Sequence, residues 1–450
     1  MAGIFKAYDV RGVYGSALNE EIAEKIGRAF ANMIGAGKTI VCGRDGRPHS
    51  VPLRDALTLG LREGGMHVVD MGLCTTPMTY YAGFTHGFDA SVMVTASHNA
   101  GEYNGFKFCR ENAIPVGYDD GLNEVERRVH AQQLPAAHTV GQFSHDQFKE
   151  GYLSYLQDHL KANKKFQFAV DCGNGMGGYL IGDLLERIGQ SAEALYWDLD
   201  FSFPNHLANP LDFNTLRDLC QTVKNKGLDF GVAFDGDADR CFFVDDQGEV
   251  VPADILTTLI AEDFLIERGP SAIIYDVRSS RVVREVIESH GGTPVMCRVG
   301  HSYMKSMLRK HGGWFGGELA GHFYFRDFSY ADSAMLTMIT VMNILDKHGK
   351  SLSELIAPYK KYVPSGEINY VTEKADALIA MAQERYAKGE KLTIDGLRID
   401  FPDWWFCLRK SNTEPLLRLV IEAKTKSRLD EVRGELCGWL EAEGAHTHHH

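Results

Sequence analysis

The chain has 450 residues, which at roughly 150 residues per domain predicts about three domains and excludes a peptide hormone, a knottin or a lone binding module. Hydrophobic residues at 44 % and charged residues at 24 % are the proportions of a water-soluble globular protein with several cores, not of a disordered one. Lys and Arg number 47 against 60 Asp and Glu; the net charge of −13 repels polyanions, so nucleic acid and anionic membranes are not expected partners and any bound phosphate must meet a local positive site.

In chain order, the dominant rhythm is a short β-branched run, a turn bearing Gly, Asp or Asn, and a helical pattern, which signals α/β units. Residues 39–42 predict a strand, 43–49 a loop, and Ser50 with Pro52 the cap and early turn of a helix reaching about Gly64. Strand signals recur at 67–71, 90–94 and 166–171, the last followed by a glycine-rich turn and a helix near 179–188. A strand at 229–234 runs into an acidic turn and leaves it as 241–245; 272–276, 293–297 and the helices between them form a third block. After Pro358 and Pro364 the composition changes, and a single strand–helix set, 416–422 and 429–441, closes the chain. Four units fit this rhythm better than three: 1–147, 148–247, 248–360 and 361–445, with 446–450 read as a tag remnant and its histidines given no metal-binding weight.

Nine cysteines without a Cys-x-x-Cys pair read as reduced thiols in a cytoplasmic protein. The N-terminal stretch mixes charge and glycine, so no signal sequence is expected. The most apolar segment, 335–345, is interrupted by Thr337, Thr340 and Asn343 and is shorter than the ~20 residues of a spanning helix.

Four loops carry residues suited to chemistry. Thr95-Ala96-Ser97-His98-Asn99-Ala100-Gly101 follows the 91–94 strand, where a serine between small residues can present its hydroxyl while His98 and Asn99 polarise a ligand. The plain alternative is a turn whose Ser and Asn bond their own backbone, and no Gly-x-Ser-x-Gly elbow supports a hydrolase. In Asp235-Gly236-Asp237-Ala238-Asp239-Arg240, carboxylates at i, i+2 and i+4 repel one another unless a divalent cation binds them. Arg240 stands where a calcium loop needs Gly and the flanks read as strands, so few oxygen ligands beside a positive fork suit Mg²⁺ with a phosphate; the alternative is an acidic surface turn. Gly316-Gly317-Glu318-Leu319-Ala320-Gly321-His322 lets backbone approach a ligand and offers a Glu–His pair for sugar hydroxyls, or is a simple hairpin turn. Arg409-Lys410-Ser411-Asn412-Thr413-Glu414-Pro415 combines two cations, two hydroxyls and consecutive N–H groups into an anion site, or is a solvated loop. A fifth segment, Gly173-Asn174-Gly175-Met176-Gly177-Gly178 with Asp198 beyond it, satisfies G-x-G-x-x-G and makes a NAD-dependent dehydrogenase a rival. It leaves the other loops without a role, so these glycines are read as tight helix–strand packing.

TASHNA, DGDADR, GELAGH and RKSNTEP, in this order over the whole chain, resemble the α-D-phosphohexomutase superfamily, most closely its bacterial phosphomannomutase/phosphoglucomutase group. The resemblance implies four domains around a central cleft: three related α/β domains with mixed sheets and a smaller C-terminal α+β domain. It implies Ser97 as a phosphoserine, with Asp235, Asp237, Asp239 and a Ser97 phosphate oxygen binding Mg²⁺. Lys107, ten residues after Ser97, is implied as a general acid/base, with His322 sharing proton transfer and His98 and Arg11 completing the catalytic set. Glu318 and His322 are implied to recognise the sugar, Arg409, Ser411, Asn412 and Thr413 to hold the non-reacting phosphate, and Tyr8, Arg240, Arg278 and His301 to line the site. Three positions depart from the pattern: Ala100 replaces a frequent Pro, Ala320 a frequent Ser, and Arg278 a frequent Lys. The expected reaction interconverts hexose 6-phosphate and hexose 1-phosphate, of mannose or glucose, with hexose 1,6-bisphosphate as intermediate and activator. A monomer or weak dimer acting on a small sugar phosphate is expected. A phosphoglucosamine mutase and a non-catalytic sugar-phosphate binder stay open on these residues.

Overall fold

The computed structural model describes residues 3–131, 134–411 and 416–448; Asn412 and Thr413 of the fourth loop lie outside them. Four sheets succeed one another along the chain. The first is mixed, in the order Val10–Val13, Tyr103–Arg110, Ala90–Val94, Thr39–Arg44, His67–Leu73, Phe143–His145. Ala90–Val94 is buried along its whole length, as expected of an apolar run covered on both faces, and its antiparallel neighbour sets Lys107 opposite Met93, close to the turn that carries Ser97.

The second sheet runs Val250–Val251, Cys241–Val244, Phe230–Phe234, Phe168–Asp171, Ala192–Leu195, and the third Thr293–Cys297, Ala272–Asp276, Phe315–Gly317, Phe323–Phe325, Ala331–Asp332; both mix parallel and antiparallel pairs. The fourth is wholly antiparallel, with helices Ala375–Arg385 and Lys426–Ala442. The Ser97 loop leaves the C-terminal end of Ala90–Val94, the aspartate loop that of Phe230–Phe234 and the Glu318 loop that of Phe315–Gly317, the sheet edge at which ligands of α/β folds bind.

One apolar cluster runs through the second and third units and takes in Met78, Tyr80, Tyr81 and Met93 of the first. The first and fourth units have cores of their own, and Val277, Trp405, Cys407 and Val420 join the third to the fourth. The apolar 335–345 segment lies in helix Ala334–His348, buried in the large cluster; among the described residues no helix is long and apolar enough to cross a membrane. The nine cysteines are unpaired thiols, seven of them buried.

Two local expectations are corrected. Ser50 is the first helical residue, not the cap; His49 occupies the cap without a side-chain bond, and the Ser50 hydroxyl is drawn off to Asp45. The last unit holds far more than one strand–helix set: Val363–Val371 is interrupted by a register shift between Pro364 and Glu367, and Trp404–Lys410 is buried on both faces, so neither alternates as a half-exposed strand would. His446–Thr447, placed above outside the fourth unit, pairs with Tyr370 and Val371.

Candidate active site

Ser97 stands at φ +52°, a left-handed conformation that costs a non-glycine residue about 1–3 kcal/mol and persists only where its surroundings over-determine it. Its N–H donates to Thr95 Oγ1 at 2.9 Å, and its buried hydroxyl donates to Asp235 Oδ2 at 2.9 Å, across 138 residues of sequence. His98 Nδ1 lies 3.3 Å from the same hydroxyl. The approach of the two loops requires Gly236, whose Cβ would fall 2.3 Å from Ser97 O.

Asp235, Asp237 and Asp239 are all buried and offer oxygens within 4.8 Å of one another. Arg240 Nε donates to Asp235 Oδ2 at 3.0 Å, and Lys107 Nζ lies 2.6 Å from Asp237 Oδ2 and 2.5 Å from Asp239 Oδ2. Three carboxylates thus face two cations. Asp237 Oδ1 and Asp239 Oδ1 are buried without a hydrogen-bond partner among the described residues, and a hard divalent cation with oxygen ligands fits that donor set. Burial, then the Asp239 charge, pushes Asp235 up to about 7. Burial opposes the charge on Lys107, but Asp237, Asp239 and Asp235 outweigh it and hold the ammonium well above the ordinary lysine range.

The Glu318 loop meets the aspartate loop directly: Arg240 and His322 form an antiparallel bridge, and Cys241 N donates to Gly321 O at 3.0 Å. His322 lies between acids, Nδ1 3.3 Å from Glu318 Oε2 and Nε2 3.4 Å from Asp239 Oδ1 and 3.8 Å from Asp332 Oδ2. Burial opposes its protonation, yet these carboxylates raise it to about 9; for Glu318 burial is outweighed by His322 and Arg278, which bring it to about 2. Tyr324 OH also donates to Glu318 Oε2 at 2.9 Å. His301 packs 5.8 Å from the His322 ring and 5.4 Å from the Tyr8 ring, centroid to centroid. Burial, reinforced by neighbouring cations, pushes His98 and His301 well below the ordinary histidine range.

Arg11 pairs with Asp9 at 2.5 Å and donates to Asn99 beside Ser97. Arg278 is held by Asp276 at 2.9 Å and lies 3.7 Å from Glu318 and 3.6 Å from Glu367, between the third and fourth units. Arg409 Nε donates to Asp395 Oδ2 at 2.9 Å; Asp395 accepts from Val299 N at 3.1 Å, and Val299 O accepts from Tyr8 OH at 2.7 Å. The fourth loop therefore connects to the first unit by a chain of bonds, and the Arg409 charge already has a partner. Ser411 N donates to Leu416 O at 2.8 Å.

Motif reading passed over Thr76, which donates to Asp237 Oδ2, and Arg47, whose guanidinium supports the Ser97 loop. The available signal for Arg47 was positional: Gly43-Arg44-Asp45-Gly46-Arg47 leaves a strand beside the one that launches Ser97. The G-x-G-x-x-G segment packs against protein. A Cβ on Gly178 would lie 1.8 Å from Trp197 O and one on Gly175 2.9 Å from Gly236 Cα, while Met176 N donates to Gly236 O at 2.9 Å. These glycines back the aspartate loop, and Asp198 gives its backbone carbonyl to Asn174.

Four family models match in chain order: phosphoglucomutase/phosphomannomutase alpha/beta/alpha domain I over residues 2–135, domain II over 150–248, domain III over 252–362 and the C-terminal domain over 367–438. The chain is 38 % identical over 441 residues to a phosphomannomutase of Salmonella montevideo, covering 95 % of this chain and 96 % of that one. It is 34 % identical over 432 residues to a phosphomannomutase of Methanocaldococcus jannaschii, covering 95 % of each. The crystal structure of a phosphoglucomutase/phosphomannomutase family protein from Burkholderia thailandensis superposes with a TM-score of 0.90 at 33 % identity, over 99 % of this chain and 98 % of that one. With every unit matched in order and the fold shared end to end, the chain belongs to the phosphoglucomutase/phosphomannomutase family and is a phosphotransferase mutase.

Proposed function

We propose that the protein interconverts the 6-phosphate and the 1-phosphate of a hexose, mannose or glucose, through a phosphoserine at Ser97 and a hexose 1,6-bisphosphate. The reading is carried by the 2.9 Å contact between Ser97 Oγ and Asp235 in a buried cluster that also holds Lys107 on Asp237 and Asp239. Relatives named phosphomannomutase support mannose as a substrate.

Phospho-Ser97 gives its phosphoryl group to the free hydroxyl of a bound hexose monophosphate: the P–Oγ bond breaks, a P–O bond to the sugar forms, and the hydroxyl proton passes to a side-chain base. The bisphosphate then turns round and returns its other phosphoryl group to Ser97. Asp235, Asp237 and Asp239 would hold a Mg²⁺ ion, which offsets charge on the transferring group. Arg240 and Lys107 keep the aspartates together and add positive charge. Lys107 and His322 both carry a proton against their acidic neighbours, so either can give it to the departing Ser97 oxygen and then take up the proton of the sugar hydroxyl, the two transfers reversing in the return direction. Glu318, held ionised, accepts from sugar hydroxyls; Tyr8, Arg11, Arg278 and His301 line the site, and Arg409, Ser411, Asn412 and Thr413 hold the non-reacting phosphate. Burial of Ser97 keeps water from its phosphoryl group.

Phosphorus NMR with mannose 1-phosphate, glucose 1-phosphate or glucosamine 1-phosphate, Mg²⁺ and a trace of hexose bisphosphate reads the reaction directly. A growing 6-phosphate signal is expected from the first two, and a folded Ser97→Ala variant should give none and carry no phosphate in its intact mass. Turnover by that variant would overturn the nucleophile, and a signal from glucosamine 1-phosphate alone would reassign the sugar.

A further inference from the structure

Resting on Ser97 as the nucleophile, we propose that Arg47 is a positioning residue that holds the Ser97 loop in its strained, reactive conformation. The turn from Thr95 to Gly101 belongs to neither helix nor sheet and bends through Ser97 at φ +52°, and the carbonyls of Ser97 and Asn99 need donors from elsewhere. Arg47, 1 % exposed, supplies them. Its Nη2 donates to Ser97 O at 3.0 Å and Asn99 O at 2.7 Å, and its Nη1 to Ala100 O at 2.7 Å and Tyr103 O at 3.1 Å. Nε is taken by Asp45 Oδ2 at 3.1 Å, so all five N–H donors of the planar fork have acceptors.

The second unit closes the fork from outside. The rings of Phe201 and Phe203 each lie 5.6 Å from the guanidinium carbon. The two units approach closely there: a Cβ on Gly46 would fall 2.6 Å from the Phe201 ring, and one on Gly101 2.5 Å from Phe201 O. Three carbonyls of one turn and that of Tyr103, which opens the following strand, therefore converge on one rigid cation, gripped by the same unit that contributes Asp235. A lysine cannot reproduce this, since an ammonium is a point charge with three donors where four carbonyls and the Asp45 carboxylate are met by a five-donor plane. Arg47 hydrogen-bonds neither the Ser97 hydroxyl nor Asp235, Asp237 or Asp239; its effect passes through the backbone that aims the hydroxyl.

The test follows labelled phosphate from hexose 1,6-bisphosphate onto the full-length protein, with Ser97 first freed of phosphate as checked by intact mass. In this step a P–O bond to the sugar breaks, a P–Oγ bond forms, and the serine proton passes through a side-chain base to the sugar oxygen. Arg47→Lys, shown folded by circular dichroism, is expected to slow labelling of Ser97 by about 10²-fold, the cost of a displacement near 1 Å, while KM for the hexose phosphate changes less than about twofold. Added guanidinium ion should recover about tenfold of the rate in Arg47→Ala but none in Ser97→Ala. If Arg47→Ala does not fold, Phe201→Leu replaces it, and labelling slowed about tenfold at unchanged KM is the supporting result. Wild-type labelling rates in a folded Arg47→Lys, or loss of rate only in proportion to unfolded protein, would overturn the proposal. A wild-type protein that takes no label on Ser97 would instead sink the nucleophile reading beneath it.

Discussion

At the scale of the residue, the site is an alternation of buried acids and bases: Asp235 with Arg240, Lys107 between Asp237 and Asp239, His322 between Asp239 and Glu318. Such pairs give little net stability when intact, but removing one member strands a buried charge. Lys107→Met is therefore expected to lower turnover by about 10²- to 10⁴-fold at saturating sugar phosphate, by steady-state kinetics; a loss below tenfold would remove its proton-transfer role. His206, away from this cluster, carries a different prediction. Its Nε2 lies 3.1 Å from Asp171 Oδ2; burial opposes its charge, and the Asp171 bond outweighs burial and raises its pKa. A raised histidine stabilises fully below its unfolded value, near 6.5, and that contribution is lost as pH rises through the higher folded value. Melting temperatures of wild type and His206→Gln should converge as pH is raised from below 6.5 through that window; a gap that widens with pH would contradict it. Reactive residue types were legible in the sequence, but Arg47 and Thr76 were not, because an arginine or threonine in a short loop is ordinary until its opposite partner is known.

At the scale of the element, the glycine-rich turn before helix Gly177–Arg187 shows how one pattern serves two architectures. A dinucleotide fold uses such glycines to admit pyrophosphate; here Trp197 O and the Gly236 backbone occupy the space. Gly178→Ala would drive its Cβ into Trp197 O, so unfolding in denaturant should show a loss of at least about 1–3 kcal/mol, with no response to added NAD in either protein. Unchanged stability would mean that helix and turn part more readily than their packing implies. Strands buried on both faces or broken by a bulge escaped the periodicity argument in the fourth unit, whereas Ala90–Val94, Ala272–Asp276 and Thr293–Cys297 have the predicted bounds because β-branched runs are bracketed there by clear turn residues.

At the scale of the whole molecule, the fourth unit is fastened to the third by arginines. Arg398 Nη1 donates to Val277 O at 2.7 Å and Ser279 O at 3.1 Å, its guanidinium lies 3.7 Å from the Trp405 ring centroid, and Arg281 reaches Phe401 O and Trp404 O. Arg398→Ala should cost about 2–4 kcal/mol through the unpaired carbonyls and the lost stack. Hydrogen exchange should then show Trp404–Lys410 losing protection before the first three sheets; an even loss across all four would show that the units unfold as one.

By itself the sequence determined the α/β rhythm, the four loops and the chemistry each can bear, since residue types and periodicity report local backbone and burial. Only the tertiary structure decided that Ser97 and Lys107 touch aspartates 130 to 138 residues away, that Arg409 pairs with Asp395, and that Arg47 supports the serine loop. The reason is physical: docking of one unit on another depends on complementary surfaces assembled from distant segments, and no local stretch of chain contains that complementarity.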